Sequence, residues 1–126
     1  MQLVGELIDS ALNDEISFDR FSESVQELGV ESIAFDMLKR RHTFYGSNGL
    51  AFDHPLKSDH PPFDIVSSFK REAVITAIGA FDRQEISASQ FHVALAAAGV
   101  SFARCYFKGR QAIYFGRQGD FYLEQW

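Results

Sequence analysis

The stretch Glu15-Ile16-Ser17-Phe18-Asp19-Arg20-Phe21 recurs in altered form as Glu85-Ile86-Ser87-Ala88-Ser89-Gln90-Phe91. The ungapped shift that brings position 15 onto position 85, which we call the repeat shift, also superposes further residues. They are Gly29-Val30 on Gly99-Val100, Phe44-Tyr45-Gly46 on Tyr114-Phe115-Gly116, Gly49 on Gly119 and Phe52 on Tyr122. Any two α+β segments share some glycines at turns and helix ends and some aromatic residues in strands. The unbroken register nevertheless favours an internal duplication as the explanation.

Each half is predicted to contain two helices followed by a three-stranded antiparallel meander. In the first half, apolar residues recur at helical spacing over residues 3–12. Ser17 is a suitable N-cap for a second helix, which ends at Gly29. Beyond that glycine the apolar period becomes that of strands. The predicted strands are residues 30–38, 41–46 and 50–53.

The second half follows the same scheme. A helix is predicted over residues 64–81, and Ser87 with Gln90 matches the capping box of a second helix that ends at Gly99. The predicted strands are residues 100–107, 111–116 and 120–125. The chain is therefore predicted to be a single α+β domain, 1–126, whose two similar halves share one core about a pseudo-twofold axis. Its parts are a first half (1–56), a connector with the helix start (57–70) and a second half (71–126).

Composition and charge exclude several classes of protein. The formal net charge of −5 argues against nucleic acid as the main partner, because such binders carry a basic surface. Cys105 is the only cysteine, so no intramolecular disulfide can form. The first residues lack the features of a signal peptide, and no apolar run is long enough for a membrane span. We expect a cytoplasmic protein that does not associate with membranes.

Several stretches of the second half resemble the YbcV-like bacterial family. They are Ile86-Ser87-Ala88-Ser89-Gln90-Phe91, Gly99-Val100-Ser101-Phe102-Ala103-Arg104-Cys105-Tyr106, Ile113-Tyr114-Phe115-Gly116 and Asp120-Phe121-Tyr122-Leu123-Glu124. The resemblance implies the fold and a bacterial cytoplasmic setting. The family has no established function, although some members are labelled "phage envelope protein", and it implies no catalytic residue. Members often carry an aspartate in the first strand of the second half, where this chain has Cys105 or Tyr106; the counterpart Asp36 lies only in the first half.

A basic run marks a predicted hairpin tip. Lys39-Arg40-Arg41-His42 could hold a phosphate together with Arg110, which occupies the equivalent place in the second half. The alternative is a solvated tip whose charges discourage sheet aggregation. The candidate ligand-binding residues for a cleft between the halves are Arg40, Arg41, His42, Arg110 and Asp36.

Histidine and cysteine provide few further candidates. His54 and His60 lie in two similar Asp-His-Pro steps and are the candidates for a metal site, but no further spaced ligand completes it. A solvated loop explains them as well. Cys105 lacks an activating base nearby in the sequence and is interpreted as a small apolar residue of the sheet. His92 is interpreted as a partly exposed helix residue, and no cofactor motif occurs.

The chain is rich in aromatic residues, with 13 Phe, 4 Tyr and 1 Trp. Most of those at strand spacing are expected in the core, yet their number exceeds what one sheet face requires. Such side chains are enriched at protein interfaces. The leading hypothesis is therefore a non-enzymatic interaction or regulatory domain that binds a protein partner or a second copy of itself. The alternative is a small-ligand or enzymatic site between the halves. The strand and terminal aromatics considered are Phe44, Tyr45, Tyr106, Tyr114, Phe115, Tyr122 and Trp126.

Overall fold

Serine side chains set the start of the second helix in each half. Ser17 Oγ accepts a hydrogen bond from the Arg20 amide at 3.2 Å, and Ser87 Oγ accepts one from the Gln90 amide at 3.1 Å. These bonds satisfy amides that a helix N-terminus leaves unpaired. The Gln90 side chain accepts in return from the Ser87 amide, which completes the predicted capping box.

The computed structural model describes residues 2–126, apart from the side chain of Asn48. The helices of this range are α1 (Gln2–Leu12), α2 (Phe18–Glu27), α3 (Arg71–Asp82) and α4 (Ala88–Ala97), with a short 3₁₀ turn at Ser47–Gly49. Its strands are β1 (Val30–Asp36), β2 (Arg41–Gly46), β3 (Ala51–Pro55), β4 (Val100–Tyr106), β5 (Gln111–Gly116) and β6 (Phe121–Gln125). The predicted α+β class is confirmed. None of the helices in residues 2–126 is long and apolar enough to cross a bilayer.

The strands form one antiparallel sheet in the order β3-β2-β1-β4-β5-β6, so that β1 and β4 meet at its centre. We call this central pair the seam. Ser32 pairs there with Tyr106 and Asp36 with Phe102. The repeat shift exchanges these two pairs with each other. The first and last three strands therefore lie on opposite sides of the seam.

The helices pack on one face of the sheet, and the buried residues there form two clusters where one shared core was expected. The first cluster contains Val4, Ile8, Phe21, Val25, Val30, Ile33, Phe44 and Phe107. The second contains Phe35, Met37, Val74, Ala77, Ile78, Leu95, Ala96, Ala98, Val100, Ala112 and Tyr114. Each cluster draws its helical residues from one half, because each helix pair covers its own part of the sheet.

The helix predicted over residues 64–81 is too long at its start, because α3 begins only at Arg71. The Val66 amide donates to the Ala96 carbonyl at 3.1 Å, and the Lys70 amide donates to the Ala98 carbonyl at 2.8 Å. The preceding segment thus provides donors to carbonyls at the end of α4. Those long-range bonds replace the helical bonds that its apolar spacing suggested.

The strand ends differ slightly from the prediction. The first strand of each half stops before its predicted end, because residues 37–40 and 107–110 form the hairpin turns. The predicted strand 50–53 is shifted to Ala51–Pro55. Proline is compatible with this position because β3 lies at the edge of the sheet, where an amide donor is not needed.

Candidate functional site

A cavity of about 800 Å³ lies at the seam, between the helices and the sheet, and separates the two clusters. We call it the seam cavity. Cross-strand pairing places its floor residues in two neighbouring rows. One row is His42, Phe35, Ala103 and Tyr114, and the other is Ile33, Cys105, Ala112 and Glu124. The floor is therefore mainly apolar, with polar groups toward its two ends.

The helices and the chain end close the remaining walls. The helical and terminal lining residues include Ile8, Phe18, Phe21, Ile78, Phe81, Phe91, His92, Leu95 and Trp126. Exposed residues of the α1–α2 and α3–α4 connections, Glu15 and Glu85 among them, also line the cavity. They form a rim that opens to solvent and carries acidic side chains.

His42 occupies one end of the floor. Its ring stacks on Phe35, with centroids 4.3 Å apart and planes 10° from parallel. Burial, with smaller contributions from His54 and His60, lowers the pKa of His42 to about 3. The imidazole is therefore uncharged at neutral pH. Its Nδ1 is buried and has no hydrogen-bond partner within residues 2–126.

His92 reaches the same end of the cavity from α4. Its ring lies 4.3 Å from that of Phe35 and 5.9 Å from that of His42, centroid to centroid. His92 Nδ1 is 3.2 Å from His60 Nε2, and His60 Nδ1 is 2.8 Å from the Pro61 carbonyl oxygen. Burial, followed by His42 and His60, places the pKa of His92 well below its usual value. His92 is a partly exposed helix residue, as the sequence predicted, but its pairing with His60 was not anticipated.

Tyr114 and Glu124 form a second polar group, beyond the seam from His42. The Tyr114 hydroxyl donates to Glu124 Oε1 at 3.0 Å. Burial, then the Glu124 charge, raises the pKa of Tyr114 well above its usual value, and burial also raises the pKa of Glu124. Asp82, another lining residue, has a pKa raised by burial and by Asp19. Burial at this end therefore disfavours the charged forms of Tyr114 and Glu124.

Cys105 lies in the middle of the floor. It packs against both clusters, and it pairs with Ile33 across the seam. Burial, then Glu124, raises the pKa of its thiol to about 12. The group is therefore a protonated thiol at neutral pH, whereas a nucleophilic cysteine requires the thiolate.

Of the five predicted ligand residues, His42 lines the seam cavity and the two hairpin-tip arginines do not reach it. Because β1 and β4 are antiparallel, the tips of the two hairpins lie at opposite ends of the sheet. The Arg40 guanidinium lies 4.6 Å from the centre of the Phe63 ring. Arg110 Nε donates to the Trp126 carbonyl at 2.8 Å. The expected joint phosphate site at the two tips is therefore not assembled.

Arg41 and Asp36 project from the face of the sheet that no helix covers, which we call the open face. Arg41 Nη1 is 3.4 Å from Asp53 Oδ2, and Asp36 Oδ1 accepts a hydrogen bond from the Lys39 amide at 3.0 Å. Arg41 thus links β2 to β3, Asp36 stabilises the turn after β1, and neither lines the seam cavity.

The two metal candidates each have another partner. His54 Nε2 is 3.1 Å from Asp9 Oδ1, while His60 contacts His92. Within residues 2–126, no group of three or more His, Cys, Asp or Glu side chains is arranged to hold a metal ion.

The open face carries an aromatic row on the second half. Phe102, Phe115 and Phe121 are cross-strand neighbours, with successive ring centroids 6.1 and 6.3 Å apart. Phe121 is 62% exposed and Leu123 41% exposed. We call Phe102, Ile113, Phe115, Phe121 and Leu123 the open-face patch.

No family model matches the chain, and the search of curated proteins gives no match either. The fold and the cavity are therefore the basis of the functional argument.

Proposed function

We propose that the protein binds a small, mainly apolar molecule in the seam cavity. The observation that supports this most is the cavity itself, whose volume of about 800 Å³ lies within the range of ligand pockets in proteins. Apolar side chains dominate its floor, the polar groups of the floor lie toward its two ends, and acidic side chains lie at the rim. Buried groups with strongly shifted pKa values are also enriched at functional sites.

Binding is proposed in preference to catalysis. The thiol of Cys105 carries its proton at neutral pH, since its pKa is about 12. His42, with a pKa of about 3, is too weak a base to remove a proton from such a group. The polar side chains of the cavity are better suited to orienting a ligand than to attacking it.

We further infer that the cavity lies where two duplicated units meet. Supporting this, the non-glycine residues with positive φ within residues 2–126 form two pairs related by the repeat shift. They are Asp14 (58°) with Gln84 (59°), and Arg40 (56°) with Arg110 (54°). The glycines with positive φ pair in the same way: Gly29 with Gly99, and Gly49 with Gly119. Local backbone geometry thus follows the same shift as the sequence.

The resemblance to the YbcV-like family remains part of this proposal. It is based on residues 86–91, 99–106, 113–116 and 120–124. With it we propose a bacterial and cytoplasmic origin. The residues of that resemblance include cavity and open-face positions, such as Cys105 and Phe121.

The experiment that tests ligand binding uses the native chain and four uncharged probes: naphthalene, indole, 2-naphthol and 1-octanol. Calorimetry measures affinity, and for 1-octanol, which does not absorb in the near ultraviolet, the emission of Trp126, the only tryptophan, reports on occupancy because that residue lines the cavity. We expect at least one probe to bind with micromolar affinity. Ala103→Phe, which adds a ring at the centre of the floor, should abolish that binding.

The matched control is Ile113→Phe, which adds a ring on the open face and should leave binding unchanged. Failure of all four probes to bind at concentrations up to their solubility limits contradicts the proposal. Equal effects of the two substitutions contradict it as well, because binding would then not depend on the cavity.

The open-face patch favours a second candidate function, self-association through the open face. The charged side chains that we place on this face, Asp36, Arg41, Asp53 and Arg104, sum to zero formal charge, although the whole chain carries −5. A neutral apolar surface can meet a second copy without charge repulsion. Six strands about 4.8 Å apart and five residues long give a flat area of roughly 500 Å². Because a stable interface needs about 800 Å² per partner, a dimer would have to use the whole open face together with side chains beyond its edges.

Size-exclusion chromatography with light scattering tests this candidate. We expect a dimer at micromolar concentration that Phe121→Ser converts to a monomer. A native chain that stays monomeric up to 100-fold higher concentration contradicts self-association.

A further inference from the structure

We propose that the seam cavity recognises an uncharged hydroxyl group, which donates a hydrogen bond to His92 Nε2 and accepts one from His42 Nε2–H. This inference rests on the ligand-binding function proposed above and specifies the chemistry of the ligand. An apolar alcohol or phenol would meet both requirements, since a hydroxyl is both donor and acceptor.

A chain of hydrogen bonds fixes the tautomer of His92. The Pro61 carbonyl can only accept, so the proton on His60 must lie on Nδ1, which is 2.8 Å away. When His60 is uncharged, its Nε2 is then an acceptor. His92 Nδ1, at 3.2 Å from that atom, must therefore be the donor. The other nitrogen of His92, Nε2, is left as an acceptor, and no residue within 2–126 makes a hydrogen bond to it.

The position of the proton on His42 follows from burial. Its Nδ1 is buried and has no partner within residues 2–126. An unpartnered buried N–H costs more than an unpartnered lone pair, so the proton of the neutral ring is better placed on Nε2. Both residues line the cavity, with ring centroids 5.9 Å apart. One donor and one acceptor thus lie side by side at this end.

The charges of the cavity disfavour anionic ligands. Arg104 is the only lysine or arginine among the described lining residues. Its guanidinium lies on the open face, 4.2 Å from the centre of the Tyr45 ring and 5.2 Å from that of Tyr106. The rim and walls carry acidic side chains, including Glu15 and Glu85. A carboxylate or phosphate would be repelled there without a compensating cation.

The test compares three matched probes at pH 7.5: naphthalene, 2-naphthol and 2-naphthoate. Two net hydrogen bonds of about 1 kcal/mol each, partly offset by ordering, correspond to about tenfold tighter binding of 2-naphthol than of naphthalene. The naphthoate anion should bind more weakly than either. His92→Phe should remove the preference for 2-naphthol over naphthalene. His54→Gln is the control, because His54 does not line the cavity, and it should keep the preference.

Nitrogen-15 NMR of the imidazole rings provides a readout that needs no ligand and no variant. We expect His92 and His60 to carry their protons on Nδ1, and His42 to carry its proton on Nε2. Binding of naphthalene and 2-naphthol with equal affinity overturns this inference alone, as does a His92 proton on Nε2. Failure of every probe to bind overturns the ligand-binding function itself.

Discussion

Met37 and Phe107, which the repeat shift superposes, each bury their side chain in the cluster formed mainly by the other half. Their backbone bonds cross the seam in the same reciprocal way. The Met37 amide donates to the Ser101 carbonyl at 3.0 Å, and the Phe107 amide donates to the Glu31 carbonyl at 3.3 Å. Each half thus completes the core of the other, so that neither cluster is whole without both.

This exchange predicts that the two clusters unfold together. Met37→Ala and Phe107→Ala should each lower the free energy of unfolding by about 2–5 kcal/mol, because both side chains are almost fully buried. Urea denaturation followed by far-UV circular dichroism and by Trp126 emission should show one coincident transition in both variants. Two separate transitions would indicate halves that fold independently.

Gly99 and Gly29 predict unequal costs for the same substitution at equivalent positions. Both have φ near +90°, a left-handed conformation that disfavours any residue with a side chain. At Gly99 a Cβ would also overlap the Ser68 carbonyl oxygen, whereas at Gly29 the nearest atom is Ser47 Oγ at 3.9 Å. We expect Gly29→Ala to destabilise the protein by about 1–2 kcal/mol, the conformational cost alone. Gly99→Ala should cost clearly more, because the overlap adds to that cost.

Chemical denaturation under one set of conditions measures the free energy of unfolding of both variants. Gly29→Ala is the internal control, since it carries the conformational cost without the overlap. Equal losses of stability in the two variants would show that residues 64–70 can move away from Gly99.

Tyr114→Phe is predicted to change the pKa of the Glu124 carboxyl group. The lost hydroxyl stabilises the charged carboxylate, so its removal should raise the pKa of Glu124 further. The free energy of unfolding at pH 7 should fall by about 1 kcal/mol, because partial exposure of Glu124 weakens the hydrogen bond. Carbon-13 NMR of the carboxyl group measures the shift. An unchanged Glu124 pKa would mean that the hydrogen bond is not maintained in solution.

Local sequence patterns make much of the fold predictable. Ser87 and Gln90 mark a helix start through local hydrogen bonds, and local bonds are what a sequence pattern encodes. The predicted start of α3 is wrong because Val66 and Lys70 bond to carbonyls of α4, which lie far along the chain. Such partners cannot be read from apolar spacing.

The candidate site is less predictable than the fold. The sequence singles out His42, but only as part of the basic run 39–42. The structure leaves the rest of that run at the hairpin tip. His92 and Glu124 reach the cavity only through the packing of α4 and the register of β6. No spacing motif joins these residues. The repeat shift pairs His92 with Ser22 and Glu124 with His54, so it does not mark either residue as part of the cavity.

His42 and His92 predict a loss of stability in acid. In the unfolded chain His42 has a pKa near 6.5, whereas in the folded protein burial lowers it to about 3. Between these values the unfolded chain binds more protons, so stability is full above pH 6.5 and falls as the pH decreases toward 3. The slope for this group is about 1.4 kcal/mol per pH unit. His92 acts in the same direction, while Glu124, whose pKa is raised, acts in the opposite one.

His42→Phe keeps a flat ring against Phe35 and removes the titration. We expect the free energy of unfolding to fall less between pH 7.5 and pH 4.5 in this variant than in the native chain, by about 2–3 kcal/mol. Urea denaturation at pH 7.5, 6.0 and 4.5 measures the effect, and His54→Gln, which keeps His42, should retain most of the native slope. If His42→Phe loses as much stability in acid as the native chain, this imidazole is hydrated and titrates near its ordinary pKa. The end of the seam cavity that it occupies would then contain water.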